Sequence, residues 1–351
     1  MLKAVIASIY KTAIRLRHML YDKGLLKIYK FRIPIICIGN VTVGGTGKTP
    51  MTELIVSHFS KSRKVAVLSR GYGRKTKGYI EVRSNSHYRN VGDEPLQIKL
   101  KYPEAVVVVC EKRVEGIRRI QAEHRDVELI IMDDGFQHRS VEPLINIITI
   151  DATRPIEHDE MLPLGTLRDV PEAVCRAHYF VVTKCPIAMK PIERRLMRKT
   201  LIHFAYQKLY FTRYISYRPE PLFPHDGSMV LNRESKVIAV SGLGNPKPFI
   251  DSLQRSYNLV DKIEYNDHHV YRMRDLKEMS EKLAKHPGSV VVITEKDAVK
   301  LRVPSKISKE LRERIYYIPI QINFLDVPLN SFLNNLEDDI RENQANRKLH
   351  K

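Results

Sequence analysis

The fold class of this chain is decided by residues 34–50, Pro34-Ile35-Ile36-Cys37-Ile38-Gly39-Asn40-Val41-Thr42-Val43-Gly44-Gly45-Thr46-Gly47-Lys48-Thr49-Pro50. The stretch opens with apolar residues typical of a buried strand and continues into a glycine-rich loop. It ends on Gly47-Lys48-Thr49, directly before a segment whose apolar residues recur at helical spacing. Strand, glycine-rich loop, Gly-Lys-Thr and helix form the layout of a phosphate-binding P-loop.

The loop predicts which residues would hold a nucleoside triphosphate. Glycine lets backbone N–H groups turn inward around phosphate oxygens, next to the positive end of a helix. Lys48 would reach the β- and γ-phosphates, and the Thr49 hydroxyl would ligate Mg²⁺. The usual first glycine of the motif is Thr42 here. The predicted nucleotide-binding residues are Thr42, Val43, Gly44, Gly45, Thr46, Gly47, Lys48 and Thr49.

Length and composition suit a globular protein of two domains. The chain has 351 residues, of which 43% are hydrophobic and 28% charged. Lys and Arg number 59 against 40 Asp and Glu, a formal net charge of +19 that favours an anionic partner. The four cysteines show no C-x-x-C spacing, which indicates a reducing compartment.

Apolar, β-branched runs alternate with helical patterns along most of the chain. Such runs predict a buried, mostly parallel sheet, with functional loops at the carboxyl ends of its strands. We therefore expect an α/β fold: a P-loop NTPase-like domain, a second and smaller α/β domain, and an N-terminal amphipathic helix. The predicted bounds are 1–30 for that helix, 31–207 for the P-loop domain, and 208–351 for the smaller domain with linker strands and a charged C-terminal tail. We expect the last fifteen residues of this tail to be frayed or solvated.

The N-terminal segment leaves two interpretations open. Its apolar residues fall on one narrow helical face, flanked by several lysines and arginines. A basic amphipathic helix can lie in the headgroup region of an anionic membrane, or it can pack on the protein itself. We expect neither a secretory signal peptide nor a transmembrane segment, because no stretch approaches about 20 apolar residues. The residues on the apolar face are Leu2, Val5, Ile6, Ile9, Ala13, Leu16 and Leu20.

Three groups of polar residues could carry chemistry. Asp133 and Asp134 directly follow an apolar strand, where a P-loop enzyme holds Mg²⁺; the alternative is a polar turn. Asp93 and Glu94 could accept or position a hydroxyl proton, although on these residues alone an acidic first turn of a helix is the favoured interpretation. Asp267-His268-His269 supplies histidine, the residue type most often used for proton transfer, and His268 would serve if two domains close over a cleft; a surface or metal-related role is the alternative.

Basic residues in loops suggest contacts to phosphate, and one lysine-containing loop bears on whether the nucleotide is ATP or GTP. Arginines in loops at strand ends can clamp phosphates, or they can be solvated surface charges. Nucleotide-binding proteins specific for guanine carry an aspartate at the position of Pro186 in Thr183-Lys184-Cys185-Pro186, so ATP is favoured over GTP. The basic residues in these loops are Arg70, Arg74, Lys112, Arg113, Arg154 and Arg168.

Taken together, these motifs resemble one family, the tetraacyldisaccharide 4′-kinases, which phosphorylate a lipid A precursor. The resemblance runs in order over about residues 34 to 300, and Thr42 at the start of the P-loop is common there. Asp169 is a departure, because many relatives have glutamate at that position. The matching runs are 39–50, Ser69-Arg70-Gly71-Tyr72-Gly73-Arg74, Val91-Gly92-Asp93-Glu94-Pro95, Lys112-Arg113, 133–138, 162–169, Asp267-His268-His269 and Thr294-Glu295-Lys296-Asp297.

The resemblance implies an ATP- and Mg²⁺-dependent transfer of phosphate to the 4′-hydroxyl of a tetraacyl glucosamine disaccharide 1-phosphate. It implies Asp93 and His268 as catalytic residues, and Thr49, Asp133 and Asp134 around the metal. It also implies a peripheral, monomeric protein on the cytoplasmic face of the inner membrane of a Gram-negative bacterium, bound to an anionic glycolipid. The implied contacts to substrate or phosphate are Glu94, Arg70, Arg74, Arg113, Gln137, His138, Arg168 and Asp169.

Two other classes of protein compete with this interpretation. A membrane-associated ATPase of the partitioning type also has a Gly-Gly-x-Gly-Lys-Thr loop, but it carries lysine where this chain has Val43. A nucleotide-gated nucleic-acid binder would fit the charge of +19, but the basic residues are dispersed and form no known binding signature. We therefore expect no nucleic-acid partner.

Overall fold

The computed structural model describes residues 2–216, 218–225, 227–302 and 307–349. It divides into two compact units, one of Met1–Tyr214 with Ile322–Lys351 and one of Ile215–Gln321. In chain order, the strands are β1 (Ile35–Gly39), β2 (Val65–Ser69), β3 (Ile80–Glu81), β4 (Val106–Val109), β5 (Leu129–Asp133), β6 (Ile145–Asp151), β7 (Tyr179–Thr183), β8 (Lys208–Ser216), β9 (Glu220–Pro221), β10 (Lys236–Ser241), β11 (Asn258–Glu264), β12 (Val290–Thr294), β13 (Ile315–Ile318) and β14 (Ile320–Phe324).

Helices connect these strands. The α-helices are α1 (Leu2–Asp22), α2 (Lys48–Phe59), α3 (Tyr88–Val91), α4 (Asp93–Lys101), α5 (Arg113–Glu123), α6 (Pro191–Leu201), α7 (Lys247–Ser256), α8 (Met273–Lys285), α9 (Glu295–Leu301), α10 (Lys309–Glu313) and α11 (Leu329–Leu349). Two 3₁₀ helices, η1 (Ile156–His158) and η2 (Pro171–Arg176), lie between β6 and β7.

The sheet of the first unit has the strand order β14-β8-β7-β6-β1-β5-β2-β4-β3. Its central strands are Val- and Ile-rich runs that are buried on both faces, as parallel strands covered by helices must be. Strand β1 pairs in parallel with β5 on one side and β6 on the other. The carboxyl ends of these three strands therefore lie side by side, which brings the glycine-rich loop after β1 close to the residues that end β5 and β6.

The second unit has its own sheet, in the order β11-β10-β12-β13-β9, and its own core. Apolar residues of β10, β12 and β13 pack against α8 in this core, among them Val240, Ile293, Ile315 and Met279. Parallel pairing of β10 with β11 and β12 continues the α/β pattern. The prediction of an α/β protein with a large, mostly parallel sheet and a smaller α/β unit is confirmed.

The C-terminal region departs from the sequence-based expectation. Residues 322–351 belong to the first unit rather than to the smaller one, and β8 pairs with β7 in the large sheet. The last fifteen residues were expected to be frayed or solvated. As far as the structure describes them they are helical, because α11 continues through Leu349, although Asp338, Arg341 and Glu342 are exposed to solvent. Phe332, Leu336 and Ile340 are buried at intervals of four residues, so a charged segment still presents a continuous apolar stripe to the core.

Helix α1 is present as predicted, but its narrow apolar face points away from the protein. The helix packs through Ala7, Tyr10 and Ile14, which join an apolar cluster on one face of the large sheet. Leu2 and Ile9, on the predicted apolar face, are 75% and 64% exposed. None of the helices that the structure describes is long and apolar enough to cross a membrane.

Candidate functional site

The glycine-rich loop between β1 and α2 is shaped by residues in the left-handed backbone region. Gly44 has φ +93° and Gly47, which caps α2, has φ +91°, values that strain any residue with a side chain. A Cβ atom on Gly47 would also lie 2.0 Å from the Tyr214 hydroxyl oxygen. Glycine at position 47 is therefore required both by the turn and by this close approach.

Hydroxyl groups hold the loop from the side of the sheet. Thr46 is buried, and its Oγ1 accepts a hydrogen bond from Asn40 Nδ2 at 2.8 Å. The same hydroxyl lies 2.8 Å from Thr149 Oγ1 at the end of β6. Thr183 Oγ1, at the end of β7, donates to the Thr46 carbonyl at 2.8 Å. Two neighbouring parallel strands, β6 and β7, thus contribute side chains that fix the loop from one side, together with Asn40 directly after β1.

Two cations hold further carbonyl groups of the loop. Lys184 Nζ donates to the Gly45 carbonyl at 2.5 Å, and Arg154 Nη1 donates to the Val43 carbonyl at 3.4 Å. Both cations also contact the buried carboxylate of Asp151, Lys184 at 2.6 Å and Arg154 at 3.4 Å. The N–H groups of Val43 and Thr46 donate to the Thr166 and Gly44 carbonyls. Because the Val43 and Gly45 carbonyls point toward Arg154 and Lys184, other N–H groups of the loop can face an anion.

Lys48 and two adjacent aspartates meet where α2 begins. Lys48 Nζ lies 3.8 Å from Asp134 Oδ1, and both side chains are partly exposed. Asp133 is buried behind them and accepts hydrogen bonds from Thr52 Oγ1 and Ser69 Oγ, each at 3.1 Å. The predicted Lys48, Asp133 and Asp134 are thus brought together.

The two aspartates differ in their proton affinity. Burial, reinforced by the nearby Asp134, raises the pKa of Asp133. Burial would also raise the pKa of Asp134, but Lys48 and Arg168 outweigh it and lower that pKa to about 2. The carboxylate nearer to Lys48 is therefore the one held firmly as an anion.

Arg168 and Gln137 join this cluster through Asn40. Arg168 pairs with the Asp134 carboxylate and with the Asn40 side-chain oxygen. Gln137 Nε2 donates to the Asn40 carbonyl at 2.8 Å. Asn40, which sequence analysis did not select, therefore connects the glycine-rich loop to both predicted residues.

Arg113 and His138 lie close to the aspartates in a buried environment. Arg113 is fully buried, and it donates to the carbonyls of Cys110 at 2.5 Å and Asp133 at 3.4 Å. Burial, and then the positive charges of Arg113 and Arg70, lower the pKa of His138 to about 4. Arg113 thus braces the backbone beneath the acidic pair, and His138 is neutral at physiological pH.

Several predicted substrate contacts lie elsewhere. Arg74 is buried by its contacts, with Nη2 2.6 Å from Glu111 Oε1 and 2.7 Å from the Gly78 carbonyl. Asp169 is 1% exposed, and its carboxylate binds His18 at 2.6 Å and Arg176 at 3.3 Å. These contacts hold a loop and helix α1 in place, and the assignment of Arg74 and Asp169 as substrate contacts stays a prediction.

The remaining predicted residues of the first unit lie at loop ends. Arg70 is exposed after β2. Asp93 begins α4 and is buried, with its Oδ1 accepting from the Glu94 backbone N–H at 3.1 Å. This is the geometry of an acidic residue in the first turn of a helix, so the structural interpretation of Asp93 and Glu94 is present whatever their chemical role.

The second unit holds the predicted histidine in a loop after β11. His268 has φ +56°, and its Nε2 lies 3.2 Å from Lys296 Nζ and 3.9 Å from Asp267 Oδ2. His269 instead bonds Asp275 at 2.9 Å and stacks on Tyr265 at a centroid distance of 4.1 Å. The structure therefore gives the two histidines different surroundings, one partly exposed and one packed.

Sequence analysis missed the residues that position the predicted ones. Thr52 and Asp151 lie outside the motif runs, and Asn40, Ser69 and Lys296 lie inside them but were given no role. Only the three-dimensional arrangement shows which groups these five residues hold. Lys184 was noted as part of a guanine-recognition test and proves to contact the glycine-rich loop. Polar residues at the ends of neighbouring strands were the one signal that could have found them.

Comparison with known proteins agrees with this geometry. The sequence model of the tetraacyldisaccharide-1-P 4′-kinase family matches residues 1–338. A tetraacyldisaccharide 4′-kinase from Phocaeicola vulgatus is 37% identical over 345 residues, 96% of this chain and 94% of that protein. One from Bacteroides thetaiotaomicron is 35% identical over 96% of this chain and 92% of its own length. A crystal structure of LpxK from Aquifex aeolicus in complex with ATP has a TM-score of 0.75 and 25% identity, covering 96% and 98% of the two chains.

The fold and the site define a P-loop nucleotide-binding enzyme of the α/β class. Within that class, the chain belongs to the tetraacyldisaccharide-1-P 4′-kinase family.

Proposed function

We propose that this protein transfers the γ-phosphoryl group of ATP to the 4′-hydroxyl of a tetraacyl glucosamine disaccharide 1-phosphate, a step of lipid A biosynthesis. One observation carries the proposal within the structure. Lys48, at the start of the helix that follows the glycine-rich loop, lies 3.8 Å from the Asp134 carboxylate, beside the buried Asp133. A P-loop lysine next to a strand-end carboxylate is the arrangement that phosphoryl transfer from a nucleotide requires.

The residues present fit both ATP and Mg²⁺. A Cβ atom added to Gly45 would meet nothing within 4 Å, so the loop is open where phosphates would lie. Thr49, Asp133 and Asp134 supply hydroxyl and carboxylate oxygens, the ligands that Mg²⁺ prefers. Among the described residues no three His, Cys, Asp or Glu groups form a metal cage, which suits an ion that takes its other ligands from water and phosphate. When bound, Mg²⁺ would neutralise charge on the transferred phosphate.

The chain's own groups would act mainly through charge and position. Lys48 would stabilise negative charge on the phosphates, and Arg168, held by Asp134 and Asn40, lies in the same cluster. We assign Asp93 and His268 to the sugar hydroxyl, as acceptor or carrier of its proton. Support for His268 over His269 comes from the contacts of His269 with Asp275 and Tyr265, which occupy its ring.

Features of α1 support a location at the membrane, which is where an acylated substrate would lie. The exposed apolar face of α1 and its flanking basic residues suit the headgroup region of an anionic membrane. Tyr10 Oη and His18, on the opposite side of α1, bind the Arg168 carbonyl at 3.1 Å and Asp169 at 2.6 Å. The helix can thus face lipid while it remains fixed to the loop that carries Arg168. We place the protein peripherally on the cytoplasmic face of the inner membrane of a Gram-negative bacterium, as a monomer.

The function is tested by transfer of labelled γ-phosphate from ATP to a detergent-dispersed tetraacyl disaccharide 1-phosphate in the presence of Mg²⁺. Labelled lipid from the wild-type protein, absent with Lys48→Ala, would support the kinase. Phosphate release that does not depend on the lipid, with no labelled lipid, would instead favour an ATPase of the partitioning type. Folded, ATP-bound protein that gives neither product would contradict both enzymes.

A further inference from the structure

Helix α6 presents large apolar side chains to solvent on its outer surface. Ile192 and Leu196 are 55% and 58% exposed, although Met197 and Leu201 of the same helix pack on the core. Positions 192 and 196 are one turn apart, so both side chains lie on one stripe of the helix. The outer stripe of α6 is therefore apolar where a solvated helix would be polar.

The same surface carries a concentrated positive charge. The outer face of α6, at positions 192, 195, 196 and 199, includes Arg195 and Lys199, both exposed. Glu193 is the only acidic residue between Pro191 and Leu201, and its carboxylate accepts from the Lys190 backbone N–H at 2.7 Å as a helix cap. Apolar side chains flanked by cations, with the single acid engaged in the backbone, are the composition of a surface for anionic lipid.

This surface continues toward α1. Both helices pack on one face of the large sheet, because Ala7 of α1 and Leu201 of α6 belong to a single apolar cluster. The short helix η2 lies between them: Glu172 binds Arg15 of α1 at 2.5 Å, and the Cys175 carbonyl accepts from Tyr206 Oη at 3.1 Å. Tyr206 stacks on the exposed Phe204, at a centroid distance of 5.5 Å, just after α6.

We infer that α6 and the Phe204–Tyr206 pair form a second membrane-contacting surface, which binds anionic lipid headgroups alongside α1. The inference rests on the proposed function only in assuming that the protein acts at the membrane surface. Tyrosine and phenylalanine at the edge of such a surface suit the boundary between headgroups and acyl chains. Two separated contacts on one face of the sheet would fix the orientation of the first unit on the bilayer. With α1 as the single contact, the unit could rotate about that helix.

The test measures binding of the full-length protein to vesicles of equal parts phosphatidylcholine and phosphatidylglycerol, compared with vesicles of phosphatidylcholine alone. The double variant Ile192→Ser/Leu196→Ser removes the apolar stripe and leaves Met197 and Leu201 in the core. The matched control is Met229→Ser/Val230→Ser, which removes two residues of similar exposure, 55% and 77%, from the second unit. Val5→Ser/Ile9→Ser provides the benchmark for α1.

We expect the α6 double variant to bind the anionic vesicles about tenfold more weakly, the control to bind like wild type, and both to retain lipid kinase activity in detergent micelles. Arg195→Gln/Lys199→Gln should weaken binding to the anionic vesicles and reduce its salt dependence, an independent measurement if the apolar variant fails to fold. Unchanged vesicle binding in both α6 variants would overturn the inference while leaving the kinase intact. So would equal losses in the control, or a wild-type dimer that the α6 variant converts to monomer in sedimentation. If the wild-type protein shows no lipid kinase activity in micelles, that result would instead contradict the proposed function.

Discussion

The two sets of candidate catalytic residues are held in very different ways. In the first unit, Asp133 is buried and bonded by two hydroxyl groups, and the neighbouring glycine-rich loop is fixed by side chains from β6 and β7. In the second unit, His268 sits on a loop in a left-handed conformation, partly exposed, next to Lys296. Phosphate and metal would thus meet groups that are already in position, whereas the proton transfer that we propose for His268 would depend on a partly exposed loop residue.

The difference corresponds to the separate tasks that the two sets of residues would have in a kinase. Phosphoryl transfer relies on positioning and charge stabilisation, so the groups that face the phosphates benefit from rigid support. A proton acceptor that must reach the hydroxyl of a large, lipid-linked sugar benefits from lying on a loop, because a fully packed side chain could not adjust its position to the substrate. Each prediction below tests one side of this contrast.

The largest expected effect is at Lys48. Lys48→Ala should lower kcat/KM for lipid phosphorylation by at least tenfold, and on the order of 100-fold, because it removes the positive charge at the start of α2 that would face the phosphates. The control is Lys61→Ala, an exposed lysine just beyond the other end of the same helix. Asp133→Ala should also cost at least tenfold, with circular dichroism confirming that both variants fold. Near-wild-type turnover in the Lys48 variant would remove the P-loop mechanism.

The paired histidines give the next effect and separate chemistry from packing. His268→Ala should lower turnover at least tenfold, because it removes the group that we assign to the sugar hydroxyl. We expect little change in melting temperature, because the His268 side chain is 35% exposed. His269→Ala should instead reduce stability by about 1–3 kcal/mol, since it removes the Asp275 bond and the stacking on Tyr265. Steady-state kinetics and thermal unfolding on both variants make the comparison. The reverse pattern would move the catalytic assignment to His269.

Much of the first region was predictable because its signals are local. The strand, glycine-rich loop and Gly-Lys-Thr lie within seventeen consecutive residues, and the aspartates directly follow an apolar strand. Parallel sheets place such strand ends together, so Lys48 and Asp134 could be expected to meet. The α/β fold class followed from the same runs of β-branched residues.

The supporting contacts could not be predicted, because they join residues far apart in sequence. Asp169, a predicted substrate contact, also binds His18, 151 positions earlier in the chain, and this pair fixes α1. Nor does the charged composition of α11 reveal its buried stripe at 332, 336 and 340. Composition averages over all faces of a helix, whereas packing depends on one face only.

Lys184 tests whether the support of the glycine-rich loop matters for nucleotide binding. Lys184→Met removes the donor to the Gly45 carbonyl and leaves Asp151 with Arg154 and Thr153 as partners. We expect KM for ATP to rise about three- to tenfold with a smaller change in kcat, because the cation orients the loop and is not assigned to the transferred phosphate. Lys184→Arg should recover part of the loss. Equal loss of kcat and kcat/KM would show that Lys184 acts on the transition state instead.

The smallest effect on stability is expected at the contact between α11 and α2. Glu337 of α11 lies 2.6 Å from His58 of α2, the helix that begins with Lys48. The hydrogen bond from His58, which outweighs burial, lowers the pKa of Glu337, and Arg341 adds to it. A carboxylate whose pKa is depressed on folding contributes stability above its unfolded pKa of about 4.3 and loses it as pH falls through the folded value.

Glu337→Gln should therefore lower stability at neutral pH by at most about 1 kcal/mol, since both side chains are partly solvated. That cost corresponds to roughly 1–3 °C in melting temperature, and the gap to wild type should close as pH falls below about 4. Asp338→Asn, on an exposed position of the same helix, is the matched control. A gap that persists at low pH would mean that the pair acts through packing rather than charge. If KM for ATP is unchanged in the variant, the contact between α11 and α2 does not affect the glycine-rich loop. A raised KM would mean that α11 supports the loop through α2.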